Sequence, residues 1–403
     1  MSGPTLFIVV SMFIDSMGFG IIAPVAPRLI MQLTGSDLGG AASIAGYLMV
    51  TYACMQFLFA PVLGALSDHF GRRPVLLASM AALAVDYLLM SLAPSIAWLF
   101  VGRFIAGIAG ATYPTANAAL SDIHPPDQRA RFFGLIGAAW GVGFMTGPAL
   151  GGLLASVGLR APFYAAAALA AFNFILGLIV FPETLPANLR RAFAVERANL
   201  FGALRQMGNY SGVPLLLGVC VLYQLAHDAL PSTWTFFSMG KFHWTEKQVG
   251  LSLAAIGFAT IIVQGALISP IIARVGEHRA VHYGFLAGVI SMAGYAFATA
   301  GWMIYPLLMF GAFFGLAMPS LNSIMSRQVP ANAQGELQGA LSGVTSISAV
   351  ISPLAMTQLF SWATAPGVAT PFPGAPMLLG AVLLAAAMGL LVLGTQRTTK
   401  SIL

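Results

Sequence analysis

Gly64-Ala65-Leu66-Ser67-Asp68-His69-Phe70-Gly71-Arg72-Arg73-Pro74 is a short charged turn between two long apolar segments. Asp68, Arg72 and Arg73 stand where the flanking sequence leaves no room for charge, so the turn marks a place where the chain leaves an apolar phase and re-enters it. Gly64 and Gly71 permit close backbone approach and a sharp reversal. Pro74 suits the first turn of the following helix, where its missing N–H costs nothing. Working outward on both sides, the flanking runs are each long enough to cross a bilayer core of about 30 Å as a helix.

Composition extends that reading to the whole chain. Of 403 residues, 58% are hydrophobic and 7% charged, with mean hydropathy +0.86, against about 25% charged residues in a soluble domain. Twelve helices are expected, at about 5–27, 43–67, 74–94, 97–120, 132–157, 161–181, 211–236, 247–272, 279–300, 302–328, 335–360 and 374–394. The polar interval 182–210 divides them into six and six. The expected fold class is an all-α membrane protein: residues 1–181 form one six-helix bundle and 211–403 a second, as parallel repeats joined by a cytoplasmic linker. The first run lacks a basic leader and a small-residue cleavage site and reads as a retained helix. Cys54 and Cys220 lie inside apolar runs and give neither a disulfide framework nor metal spacing.

Basic residues fix the expected orientation. Arg72, Arg73, Arg129, Arg131, Arg190, Arg191, Arg197, Arg205, Arg274, Arg279, Arg327, Arg397 and Lys400 fall on one side, and Arg28, Arg160, Lys241 and Lys247 on the other. The positive-inside rule makes the first set, and both termini, cytoplasmic. The basic pI is then a topology signal and implies no nucleic-acid partner. Trp98, Trp244, Trp302 and Trp362 fall at outer helix ends, where an aromatic belt is expected.

Asp15, Asp86, Arg103 and Asp228 lie within the apolar helices. Each costs about 2.5–3.5 kcal/mol to insert near a helix centre, so each is by default a functional position. Asp15 is about 15 Å into the first helix at 1.5 Å per residue, near the midplane where substrate and coupling-ion sites lie. A carboxyl there is more easily neutral than in water, which suits it to take up and release a proton. Asp86 and Arg103 lie at similar distances from one outer turn, so an ion pair between them is one reading and Arg103 facing Asp15 is another. Asp228 shares a face with Gln224, four residues earlier, and His227 is turned about 100° away. The pair His227 and Asp228 is a second protonatable site or an anchor for a cationic substrate. Gln56, Tyr113, Gln264 and Asn322 are weaker pocket candidates, each a polar group on an apolar helix that reads first as interhelical glue.

The order Gly-x-Leu-x-Asp-x-x-Gly-Arg-Arg over 64–73 resembles the loop 2–3 signature of the major facilitator superfamily. Arg103 with Gly107 and Gly110 resembles its helix 4 motif. Gly134, Gly143, Gly147, Pro148, Gly151 and Gly152 resemble its helix 5 antiporter signature, echoed by Ser352-Pro353. Together with Asp15-Ser16-Met17-Gly18 and Asp86-Tyr87, the resemblance narrows to the tetracycline/proton antiporters among the twelve-helix drug exporters. It implies two pseudo-symmetric bundles that expose a central site to each side in turn, a cytoplasmic gate built on Asp68, Arg72, Arg73 and Arg131, and proton coupling through Asp15 and Asp86. It implies a bacterial inner-membrane monomer whose partners are a small molecule, protons and lipid, powered by the proton gradient without a cofactor. The second half departs from that branch. Thr260 and Gly288 stand where the branch carries a histidine and an aspartate, and Asp228 with His227 are additional, which sets tetracycline itself apart from the expected substrate.

A metabolite facilitator or importer of the same fold is an alternative, against which the helix 5 pattern argues by analogy. A non-transporting receptor is a second alternative. Neither a metal pair, a nucleophile elbow nor a P-loop is present, which argues against an enzyme and against ATP-driven pumping.

Overall fold

The computed structural model describes residues 1–110, 112–190, 207, 210, 212–330 and 333–400, side chains excepted at 130, 189 and 394–400. Most of the expected linker 182–210, including Arg191, Arg197 and Arg205, lies outside the described residues, as do the side chains of Arg397 and Lys400.

Among the described residues, twelve helices are long and apolar enough to cross a membrane. They are called spans 1 to 12: Gly3–Ile22, Leu38–Phe70, Arg72–Leu92, Ile96–Ile123, Pro126–Leu154, Ala161–Val180, Val213–Phe242, Glu246–Val275, Glu277–Phe297, Gly301–Gln328, Gln334–Ala363 and Ala375–Leu393. No strand occurs among the described residues. The first expected helix, 5–27, ends early at Ile22, and a separate short helix, Ala26–Thr34, follows it.

Local chemistry sets the ends of span 2. Asp37 caps its start, with Oδ1 accepting from the Gly40 N–H at 2.8 Å, which satisfies one of the donors every helix N-terminus leaves open. Gly71 ends it at φ +110°, a conformation that excludes residues bearing a Cβ. Gly64 differs from the sequence expectation: it lies inside span 2, and a Cβ there would meet nothing within 4 Å. Only Gly71 makes the reversal.

By contacts the chain separates into two compact units. The first is Met1–Ala198 with Trp244–Gly257; the second is Asn199–His243 with Phe258–Leu403. The first half of span 8 clusters with the first unit because it lies against span 5. A Cβ on Gly152 would fall 2.9 Å from Lys247 Cα, and one on Gly257 would fall 2.7 Å from Met145 Cβ. Arg28 adds an ion pair to Glu246 at 2.6 Å. Trp244 is 8% exposed in this packing, whereas Trp302 and Trp362 are 72% and 74% exposed. Of the four tryptophans expected in an aromatic belt, Trp98, Trp302 and Trp362 are exposed and Trp244 is packed inside. An apolar core of the first unit includes Phe7, Ile8, Met12, Leu76, Leu120 and Phe181.

An internal repeat is legible at a constant offset of 205 residues: Gly71 and Gly276, Pro114 and Pro319, Asn117 and Asn322, Pro148 and Pro353. The geometry repeats as well. Gly71 and Gly276 both end a span at positive φ, and Pro148 and Pro353 both lie inside a helix. Arg72 pairs with Asp122 in the first unit, and at the same offset Glu277 pairs with Arg327 in the second, with the charges exchanged. A parallel repeat of six spans accounts for this spacing.

Candidate functional site

Span 1 positions Asp15, and span 5 determines how it sits. The three glycines of span 5 one turn apart, Gly143, Gly147 and Gly151, put bare backbone against the backbone of span 1. A Cβ on Gly143 would lie 3.0 Å from Met17 N, and one on Gly147 would lie 2.9 Å from Gly20 Cα. Small residues at four-residue spacing are what permit such an approach. Gly134, in the same motif, has open space where a Cβ would go. Asp15 is buried, 7% exposed. Its Oδ1 accepts from Asn173 Nδ2 at 3.0 Å, and Asn173 Oδ1 in turn accepts from Ser11 Oγ at 2.8 Å. Asp15 Oδ2 is buried with no hydrogen-bond partner among the described residues.

The sequence left the partner of Arg103 open, and the structure closes it. Arg103 Nε donates to Asp86 Oδ1 at 3.3 Å, and Nη2 meets Asp86 Oδ2. Asp86 is fully buried. Gly102 makes room, since a Cβ there would overlap Asp86 Oδ1. The Arg103 guanidinium also lies over the Tyr52 ring, 5.7 Å from its centroid. Gln56 donates to Gly110 O at 3.2 Å, tying span 2 to the end of the first helical piece of span 4. Tyr113 meets the Trp140 ring edge-on at 6.1 Å.

The charged turn is knotted more tightly than its sequence suggested. Arg72 Nη1 donates to Asp68 Oδ1 at 2.5 Å and to Ser67 Oγ at 3.1 Å, while Nε donates to Asp122 Oδ2 at 3.0 Å. Arg73 Nη2 donates to Leu178 O at 2.8 Å. Arg131 is exposed and joins none of these pairs. Beneath the turn, Glu183 accepts from four backbone N–H groups, those of Arg72, Arg73, Thr184 and Leu185, at 2.8 to 3.3 Å. Charge-assisted bonds of this kind are about twice as strong as neutral ones. Its carboxylate occupies the place a Cβ on Gly71 would need.

In the second unit, span 7 is broken at Asp228 into Val213–His227 and Ala229–Phe242. Pro231 is the cause: it removes an N–H and its ring crowds the carbonyl four residues back. Gln224 Nε2 donates to Asp228 Oδ1 at 3.1 Å, and His227 Nδ1 lies 3.4 Å from the same oxygen. Gln264 sits in a π-helical turn, Val263–Leu267. A Cβ on Gly315 would fall 3.2 Å from its Nε2. Asn322 Oδ1 accepts from Gln338 Nε2 at 3.1 Å. Gly288 faces Leu384 and Phe314 so closely that a Cβ would lie 2.6 and 2.9 Å from them. No larger side chain fits there without displacing one of them.

Sequence reasoning missed Asn173, Asp122 and the role of Glu183. Asn173 is the one amide in an otherwise apolar span 6, the same signal that singled out Gln56 and Asn322.

A profile of the Major Facilitator Superfamily matches residues 8–353. The tetracycline resistance protein of class C from Escherichia coli is 40% identical over 86% of this chain and 87% of its own length. The class G protein from Vibrio anguillarum is 40% identical over 86% and 88%. Among solved structures, the nucleoside transporter NupG superposes with a TM-score of 0.73 over 97% of this chain and 99% of its own, at 14% identity, a likeness of fold. Twelve spans, the glycine-packed span 5, the buried acids and these relatives agree: the chain belongs to the major facilitator superfamily, in its tetracycline-resistance branch.

Proposed function

We propose that the protein is a secondary active transporter that exports a small amphipathic or cationic, drug-like compound in exchange for protons by alternating access. The observation that carries this reading is Asp15: a carboxyl buried in a membrane-spanning helix, held on one oxygen by Asn173 and with its other oxygen unpartnered among the described residues. A purely structural acid would have both oxygens satisfied, because an unpaired buried polar atom is costly. A group that must gain and lose a proton needs one oxygen free. Asp86 with Arg103 and Tyr52 is the neighbouring charged centre, and we assign the Asp68, Arg72, Asp122 and Glu183 knot to the cytoplasmic gate. The substrate residues we assign are Asp15, Gln56 and Tyr113 in the first unit and Gln224, Asp228, Gln264 and Asn322 in the second. The protein sits as a monomer in the bacterial inner membrane with both termini cytoplasmic. It works as a carrier and not as an enzyme, with the proton gradient as its energy source.

The test is the purified protein in proteoliposomes with an imposed pH gradient. Adding an exported compound collapses the gradient, and Asp15→Asn abolishes that collapse. Transport that ignores the pH gradient in both proteins would make it a facilitator.

A further inference from the structure

Three departures from α-helical geometry meet in the second unit: the break of span 7 at Asp228, the π turn Val263–Leu267 of span 8, and the 3-10 turn Ala312–Leu316 of span 10. Gln264 of the π turn lies against Gly315 of the 3-10 turn. The neighbouring Phe314 packs on Tyr223 with ring centroids 4.6 Å apart and on His227 at 6.1 Å. His227 stacks on Tyr223 at 6.0 Å and 15°. Such irregular turns inside helices frequently mark functional sites, and non-α backbone at membrane depth is tolerated where it is buried in protein or lines a cavity. Gly288 contributes by having no side chain: the Phe314 ring takes that space.

Asp228 joins this aromatic group through His227, whose Nδ1 lies 3.4 Å from Asp228 Oδ1. Its side chain is 13% exposed, and Oδ2 is buried without a hydrogen-bond partner among the described residues. Burial matters for the choice of ligand. A primary ammonium needs a carboxylate oxygen with room to accept; Oδ2 is buried, and Oδ1 already accepts from Gln224 and lies 3.4 Å from His227 Nδ1. A quaternary ammonium donates no hydrogen bond. It needs aromatic faces in front and a negative field behind. The half-exposed His227 ring and the part-exposed Phe314 ring supply the faces, and the Asp228 carboxylate supplies the field.

We infer that this cluster in the second unit is a recognition site for a quaternary ammonium group on an aromatic or alkyl body. The inference deepens the export reading above by naming the chemistry of its substrate.

Isothermal titration calorimetry of the full chain in detergent, with phenyltrimethylammonium as the probe, tests it. Wild type binds saturably. Asp228→Asn weakens binding at least tenfold and Phe314→Leu several-fold, whereas Arg327→Ala, at an exposed ion pair, stays within twofold of wild type. Absence of saturable binding in wild type, or an Asp228→Asn affinity within twofold of it, overturns the site. Should Asp228→Asn elute as aggregate, Phe314→Leu decides on the same criterion, and its unchanged affinity overturns the site. Proton-driven export of other compounds alongside no ammonium binding sinks this inference alone. Ammonium binding without any response to a pH gradient sinks proton exchange and leaves the site standing.

Discussion

Asn173 joins two residues of span 1 through one amide: its nitrogen donates to Asp15 Oδ1 at 3.0 Å while its oxygen takes the Ser11 hydroxyl at 2.8 Å. All three side chains are buried. The amide therefore sets which oxygen of Asp15 is free. Asn173→Leu leaves Asp15 and Ser11 both unpaired, at about 1–3 kcal/mol for each buried group. The expected outcome is a lower thermal midpoint in detergent and loss of proton-coupled export. Ser11→Ala, which removes a donor and leaves Asp15 held, keeps most of the export. Equal losses in the two variants would contradict a positioning role for Asn173.

Asp86 and Arg103 predict strong non-additivity. Arg103→Ala strands a fully buried carboxylate, and breaking a buried pair from one side costs about 3–5 kcal/mol. Asp86→Asn with Arg103→Gln removes both charges and is expected to recover much of that loss, because the desolvation penalty of both ions disappears with them. Thermal unfolding of the two singles and the double gives the coupling energy directly. Additive losses would mean that the two charges do not depend on each other.

Glycines of the two motifs should separate by environment. Gly71→Ala forces a Cβ onto a positive φ and into the Glu183 carboxylate, and Gly147→Ala forces one into the backbone of span 1. Both are expected to abolish folded expression or export. Gly64→Ala and Gly134→Ala meet nothing within 4 Å and are expected to gain slightly, by about 0.5–1 kcal/mol, from better helix propensity. Expression yield and thermal midpoint across the four variants check this. A damaging Gly64→Ala would show that its space is needed during transport.

The exchanged ion pairs should differ in value. Arg72 and Asp122 have side chains 11% and 20% exposed, whereas Arg327 is 72% exposed. Exposed pairs contribute about 0–1 kcal/mol. Arg327→Ala is therefore expected to be nearly silent in stability, and Asp122→Asn to lower the thermal midpoint and export clearly. Glu183→Gln, which weakens four backbone contacts under Arg72 and Arg73, is expected to resemble Asp122→Asn. Asp68→Asn should fold normally and fail to export by at least tenfold, since a gate residue acts on the transport cycle. Unchanged export in Asp68→Asn would remove it from the gate.

The number of spans was legible because each span is a local property: about twenty apolar residues in a row carry it without reference to the rest of the chain. The reversal at Gly71 was legible for the same reason, although residues 64–70 before it are helical, as was the Gln224 and Asp228 contact, which follows from four-residue spacing on one helix. The partner of Arg103 was not legible. Asp15 and Asp86 lay at compatible depths, and depth along a helix says nothing of the direction in which the side chain points. Asn173 and Glu183 were passed over because each acts on residues more than a hundred positions away.

By itself, the sequence determined a twelve-span chain with acids that hydrocarbon does not tolerate unaided, because hydropathy and insertion cost are summed residue by residue. Only the tertiary structure decided that Arg103 belongs to Asp86, that Asn173 holds one oxygen of Asp15, and that Phe314 packs on Tyr223 and His227 in space Gly288 leaves open. Those choices depend on how helices rotate and approach one another, which is fixed by packing between distant segments.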